Sequence, residues 1–322
     1  MNPKISKSLK IILPLLLGVF LVWYSLSKVS LDQLVVYFKK ADYGWILLGI
    51  VLGFLSHLSR AYRWLFMLEP MGFKVKFGNS IMAVFATYLI NYTIPRAGEV
   101  ARASILTNYE GVPFEKGFGT IVAERMADLI MLLLIILLTL FLHFDFIYGF
   151  LIERFNPLNI LVALAVLAVL ALVFFKYIKN SNSKMANKIK VFITGLMEGA
   201  LSIFKMKKKW PFVFHTVFIW VMYVLMFYVT SLSVEDLGLL PFGAILTGFI
   251  AGSFSIAATN GGVGSYPLAV FAAFSIFNIA EAPSIALGWI MWASQTLMVI
   301  VFGGLSLIYL PIFNRHKTPK AN

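Results

Sequence analysis

The sequence predicts an all-α polytopic membrane protein, and three observations carry that prediction. Of its 322 residues, 60% are hydrophobic, against roughly half in a soluble domain. The apolar residues run in blocks of about 20, the length at which a helix crosses a hydrocarbon core while satisfying its own backbone. Basic residues outnumber acidic ones 27 to 14 and collect in the loops and tails between those blocks.

Nine apolar segments can be drawn, near 11–27, 44–67, 79–95, 117–142, 157–177, 211–232, 241–259, 266–279 and 284–310. No small-residue cleavage site follows the first, so it is expected to persist as a helix. Lysines precede it (Lys4, Lys7, Lys10), cluster around 176–209, and recur with Arg315 after the last segment. By the positive-inside rule these three regions are expected to be cytoplasmic, with both termini inside; the expected location is a bacterial inner (plasma) membrane. The net charge of +13 then reads as topology signal and attraction to anionic lipid, and nucleic acid is not expected as a partner.

Parity constrains the middle of the chain. With 1–10 inside and Lys176 inside, residues 79–116 must start and finish on the cytoplasmic face. Their second limb holds Arg96, Glu99, Arg102, Glu110, Glu115 and Lys116, too polar to face lipid, so a protein-buried re-entrant hairpin is expected. Residues 241–279 start and finish outside, interrupted at Asn260-Gly261-Gly262-Val263-Gly264. The expected architecture is about six full spans plus two re-entrant helical hairpins entering from opposite faces, an arrangement suited to an inverted repeat; about eight kinked spans is the alternative.

Both interruptions carry a hydroxyl residue two before a proline, Thr93 with Pro95 and Ser265 with Pro267. That spacing predicts an N-cap followed by a first-turn proline, so each half-helix would aim free N–H groups and its positive dipole end into the membrane interior. Residues 184–206, inside a basic cytoplasmic segment (178–210) of a single membrane domain, repeat apolar residues at helical spacing and suggest an interfacial helix.

The chemistry concentrates in Arg96, Glu99, Arg102, Glu124, Arg125 and Asp128. Each ionised group at mid-membrane costs about 2.5–3.5 kcal/mol, so these groups must pair or face water and a ligand. Three acids can simply neutralise three arginines. The functional alternative is that the acids orient arginines whose planar donor forks hold a phosphate. Arg60, three residues before Arg63 in the second segment, joins this candidate set; Arg63 itself is expected to snorkel to the cytoplasmic interface. The Asn260–Ser265 break could line a substrate path with backbone, or be a plain loop. With no cysteine and four scattered histidines, neither a metal site nor a disulfide is expected. No hydrolase, nucleotide or zinc-protease motif occurs, and no cofactor or enzymatic activity is expected.

The string PRAGEVAR (95–102) followed by ERMAD (124–128), with the later ATNGGVGSYP (258–267), resembles the flippase-like family of the lysylphosphatidylglycerol synthase transmembrane region. The resemblance covers nearly the whole chain. It falls on Pro95, Arg96, Gly98, Glu99, Arg102, Glu124, Arg125, Asp128, Gly261, Gly262 and Gly264. It implies movement of lipid between leaflets, as in the N-terminal region of the multiple peptide resistance factor. Together with the arginine forks this makes the leading expectation a flippase or scramblase for an anionic phospholipid or a polyprenyl-phosphate-linked lipid, whose anionic headgroup is the partner recognised. Ala258, Asn260 and Pro267 depart from the family pattern, the last standing where a glutamate is usual, which counts against an aminoacylated lipid. No soluble aminoacyl-transferase domain is expected. A second expectation is a non-catalytic partner of a cell-envelope lipid synthase, and a third a transferase using a polyprenyl-phosphate donor.

Overall fold

The computed structural model describes the backbone of residues 3–94, 96–144, 157–181, 183, 186–187, 190, 206–259 and 261–315. Among the described residues the structure is helical, with eleven α-helices. These are α1 (Pro3–Lys28), α2 (Leu31–Lys40), α3 (Tyr43–Leu68), α4 (Phe77–Thr93), α5 (Ala97–Glu110), α6 (Phe114–Leu142), α7 (Pro157–Asn180), α8 (Lys209–Ser231), α9 (Phe242–Ala258), α10 (Ser265–Ser275) and α11 (Glu281–Phe313). Every one of the nine apolar segments is a helix. Helix α2 was not among them; its ten residues are too short for a span, but Ser30 and Gln33 form a reciprocal capping box that nucleates it. The expected interfacial helix at 184–206 lies for the most part outside the described residues.

Four described helices are long and apolar enough to cross a membrane, α3 (with the 3-10 turn after it), α6, α8 and α11, and α1 with α2 would add a fifth as a pair bent by 78°. Outward leucines on α6, such as Leu133, Leu134 and Leu137, would be an aggregation hazard in water and suit a lipid-facing surface. The protein is a helical membrane protein.

Contacts divide the chain into two compact units, one of residues 1–121 and 210–322, the other of 122–209. In the first, two helix–break–helix hairpins dominate. Helix α4 packs along α5, α9 packs along α10, and the long α11 supports both hairpins through α4 and α10. The paired helices have 17, 14, 17 and 11 residues. At 1.5 Å per residue none exceeds about 26 Å, short of a hydrocarbon core of ~30 Å.

Close backbone approach makes the first hairpin. A Cβ on Gly98 would sit 2.2 Å from the Thr87 carbonyl oxygen and 2.8 Å from the Asn91 side chain. Gly98→Ala is therefore expected to destabilise the protein by roughly 1–3 kcal/mol, read as a lower melting temperature in detergent. Behind α4, the rings of Phe54, Phe85 and Phe302 stack across α3, α4 and α11 at 4.6–5.5 Å. At the far end of the hairpin Asn79 and Asn314, both buried, exchange amide hydrogen bonds of 2.7 and 3.0 Å. Glu110 accepts from Asn79 as well, so α4, α5 and α11 are tied together at one level.

The hairpin tips meet. Tyr92, one residue from the end of α4, donates to or accepts from Thr296 of α11 (3.1 Å). Its ring lies where a Cβ on Gly261 would stand, 2.5 Å away. Trp292 donates its indole N–H to the Gly261 carbonyl (2.8 Å). The glycine-rich turn is thus a built contact. Gly261, Gly262 and Gly264 all have positive φ (68°, 79° and 69°), a region costly to residues with a Cβ.

Candidate functional site

The polar residues of α3 are buried against α8. His57, Arg60 and Arg63 step along one side of α3, and all are at most 7% exposed. Arg63 donates to Thr216 Oγ1 at 2.9 Å, with Phe212 beneath its guanidinium at 5.3 Å. Arg60 reaches Tyr223 Oη at 3.5 Å, and Ser59 hydrogen-bonds His215 Nδ1 at 2.8 Å. The expectation that Arg63 snorkels to an interface is corrected. The side chain is fully buried because Thr216 supplies an oxygen acceptor inside the fold.

Arg102 comes to the same level of α3 from the first hairpin. It is 1% exposed, with its guanidinium 3.8 Å from the centroid of Trp64, the neighbour of Arg63. Trp64 donates its indole N–H to Thr120 Oγ1 at 2.8 Å, and Thr120 in turn donates to Gly117 O. A desolvated cation over an indole face is worth about 2 kcal/mol. A planar guanidinium can stack this way and still direct N–H groups sideways, which an ammonium cannot.

Arg96 behaves differently. It is exposed and occupies the N-cap of α5 in left-handed conformation, φ 62°. It therefore does not continue a helical stripe with Glu99 and Arg102, because the chain turns at this residue before the helix begins. The expected cap is also corrected. Thr93 closes α4, bonding back to the Ile90 carbonyl (2.9 Å), and α5 has no cap from its own N-cap side chain. Asn91 acts in its place from α4. Its Oδ1 accepts from the Gly98 N–H at 2.8 Å, and its Nδ2 donates to the Glu99 carboxylate at 3.3–3.4 Å. One helix-end donor expected to face a ligand is spent inside the hairpin. Glu99 is half-buried there.

The second break shows a parallel correction. Gly264 is the N-cap of α10, and Ser265 is already its first helical residue, its hydroxyl linked to Ser255 (2.6 Å) and Thr259 (2.9 Å). Only glycine takes the left-handed cap at low cost, which displaces serine by one position. Pro267 stands in the first turn as expected, packed against Gly288, where a Cβ would lie 2.3 Å from Pro267 Cα. Pro95 and Asn260 lie outside the described residues.

In the second unit Glu124 is fully buried and Asp128 8% exposed. Arg125 pairs with Asp128 one turn on, at 3.7 Å, and its side chain remains 37% exposed. The sequence reading missed Asn91, Trp64, Thr216 and Tyr223. A signal existed for two of them: the polar stripe of α3 requires acceptors opposite, and Thr216 and Tyr223 are seven apart, two helical turns on one face.

Left-handed φ at a non-glycine residue costs about 1–2 kcal/mol. Arg96→Gly is expected to raise the melting temperature modestly, by ~1 kcal/mol of stability, while slowing any transport that uses its guanidinium. Unchanged stability would show that the strain is relieved elsewhere.

Residues 11–304 match the family described as the lysylphosphatidylglycerol synthase TM region. The chain is also similar to the UPF0104 membrane protein MJ1595 of Methanocaldococcus jannaschii, 24% identical over 321 residues and 89% of each chain. A shorter similarity, 25% over 130 residues, links 40% of the chain to 21% of the glycosyltransferase AglD of Haloferax volcanii. Buried arginines in a helical membrane protein, two hairpins meeting at a glycine-rich turn, and a match over almost the full length lead to one conclusion: the chain belongs to the family of the lysylphosphatidylglycerol synthase TM region.

Proposed function

We propose that the protein is a flippase or scramblase that moves an anionic lipid, a phospholipid or a polyprenyl-phosphate-linked lipid, between leaflets. The observation that carries the reading is the burial of Arg60, Arg63 and Arg102 at 2%, 0% and 1% exposure, the first two on the apolar α3 and the third on the hairpin helix α5. Burying guanidinium groups at membrane depth is expensive. Their forks match phosphate geometry. Glu99 lies on the same helix as Arg102, and Arg96, exposed at the start of that helix, makes first contact with the headgroup. In the second unit Asp128 holds Arg125, which keeps exposure and offers a headgroup a further guanidinium. The hairpins are read as re-entrant from opposite faces; the shortness of all four hairpin helices and the meeting of their tips support this, as in transporters built around broken helices. Both termini are placed on the cytoplasmic face of a plasma membrane, following the lysines.

The test is reconstitution into vesicles containing phosphatidylglycerol with a fluorophore on one acyl chain, bleached by a membrane-impermeant reductant. Bleaching beyond the outer leaflet, faster than for the matching phosphatidylcholine, is expected. Protection of the inner leaflet equal to that in protein-free vesicles would end the proposal.

The similarity to part of a glycosyltransferase and the synthase in the family description favour a second reading, a membrane partner or regulator of a cell-envelope lipid synthase. It predicts co-purification with that enzyme and no transfer in vesicles. A polyprenyl-phosphate transferase would instead form product with purified protein and a divalent metal.

A further inference from the structure

A groove of about 490 Å³ opens in the first unit between α1, α2, the start of α3 and α11. Its walls come from Val22 and Leu26 of α1, Leu34, Val35 and Phe38 of α2, and Trp289 of α11, and Lys39 is the one charged residue lining it. Pockets of this size hold a drug-sized or single-chain ligand. The walls are fixed in place. The Ser30–Gln33 capping box sets α2 at 78° to α1, Lys28 pairs with Glu281 at 3.5 Å, and Trp289 donates to Ser25 Oγ at 3.0 Å.

Those bonds also leave the groove with a single kind of polar handle. The Trp289 N–H is spent on Ser25, and the Tyr43 hydroxyl donates to the Phe38 carbonyl at 2.8 Å. The nearest acid in sequence, Asp42, accepts from the Gly44 N–H at 2.8 Å as the cap of α3. Lys39 is exposed and makes no ion pair among the described residues, and Lys40 follows it in the last turn of α2. A hydrocarbon slot whose one charged lining group is an ammonium matches one class of molecule.

We propose that this groove binds an anionic glycerophospholipid, with one acyl chain lying between α1, α2 and Trp289 and the phosphate at Lys39. Tyr43 and Arg60 are about 26 Å apart along α3, so this is a second station at the opposite end of that helix from the arginines. Binding here holds whether or not the protein transfers lipid.

The test uses full-length protein in phosphatidylcholine vesicles containing a small fraction of phosphatidylglycerol with a diazirine in its acyl chain, followed by irradiation and peptide mapping. Adducts are expected to concentrate on residues 22–43 rather than on other exposed apolar surfaces such as α6. Val35→Trp, which fills the slot from an exposed position, lowers those adducts several-fold; Val36→Trp, its neighbour off the groove wall, does not. Lys39→Glu reverses the charge and lowers phosphatidylglycerol adducts about 30-fold, two charges' worth of interfacial attraction, and leaves diazirine-phosphatidylcholine adducts unchanged. Adducts spread in proportion to exposure, or undiminished in Val35→Trp, overturn the site. An unchanged ratio in Lys39→Glu overturns the headgroup assignment. Should Val35→Trp aggregate, competition in the wild type decides: excess unlabelled phosphatidylglycerol displaces the probe better than phosphatidylcholine, and equal displacement overturns the proposal.

Discussion

Arg102→Ala is expected to slow transfer of labelled phosphatidylglycerol by about 30-fold, the ~2 kcal/mol that a desolvated cation over an indole face is worth. Arg102 is 1% exposed, with its guanidinium 3.8 Å from the Trp64 ring centroid. That stack fixes the plane of the fork, and with it the direction in which N–H groups can meet a phosphate. Arg102→Lys keeps the charge and loses the plane, so it should restore the melting temperature more fully than the transfer rate. Trp64→Leu, which keeps the arginine and removes the platform, should fall between the two. Transfer in both Arg102 variants at the wild-type rate would assign the arginine to structure alone.

Gly264→Ala should give the largest loss of stability. Its φ of +69° costs an alanine about 1–2 kcal/mol. The added Cβ would also stand 2.4 Å from Val22 N and 2.7 Å from Leu21 C, main-chain atoms of α1 that cannot rotate away. Together these predict about 3 kcal/mol of destabilisation, seen as a fall in melting temperature in detergent. Gly304→Ala is the control: nothing lies within 4 Å of its would-be Cβ and it sits inside α11, so helix propensity should make that change neutral or stabilising by up to ~1 kcal/mol. Similar losses for both would mean that the second hairpin does not lean on α1.

These two positions differ in how far they could be read from sequence. Gly264 stood out as part of an interruption in an apolar run, and the turn there needs glycine for a local reason, positive φ. The identity of the atoms it presses against, the backbone of α1 far away in sequence, is not a local property. Arg102 stood out as a charge in an apolar protein, but so did Arg96, and nothing in the spacing separates them. The fold does. Arg96 caps α5 and stays exposed, whereas Arg102, six residues on, is carried under Trp64. Arg63 was misjudged for the same reason: snorkelling is the default for an arginine near a helix end, and Thr216 on another helix removes the need for it. Asn91 as the cap of α5 was hidden because it acts across the hairpin and not from the cap position.

The sequence by itself determined membrane residence, the all-helical class, the position of every long apolar helix and the two interruptions, because block length, backbone satisfaction and turn chemistry are short-range constraints. The tertiary structure alone decided which charges are buried, what caps each half-helix, and that the two interruptions touch through Tyr92 and Gly261. Burial of a charge depends on the acceptor or ring brought against it, and those partners lie up to 163 residues away along the chain.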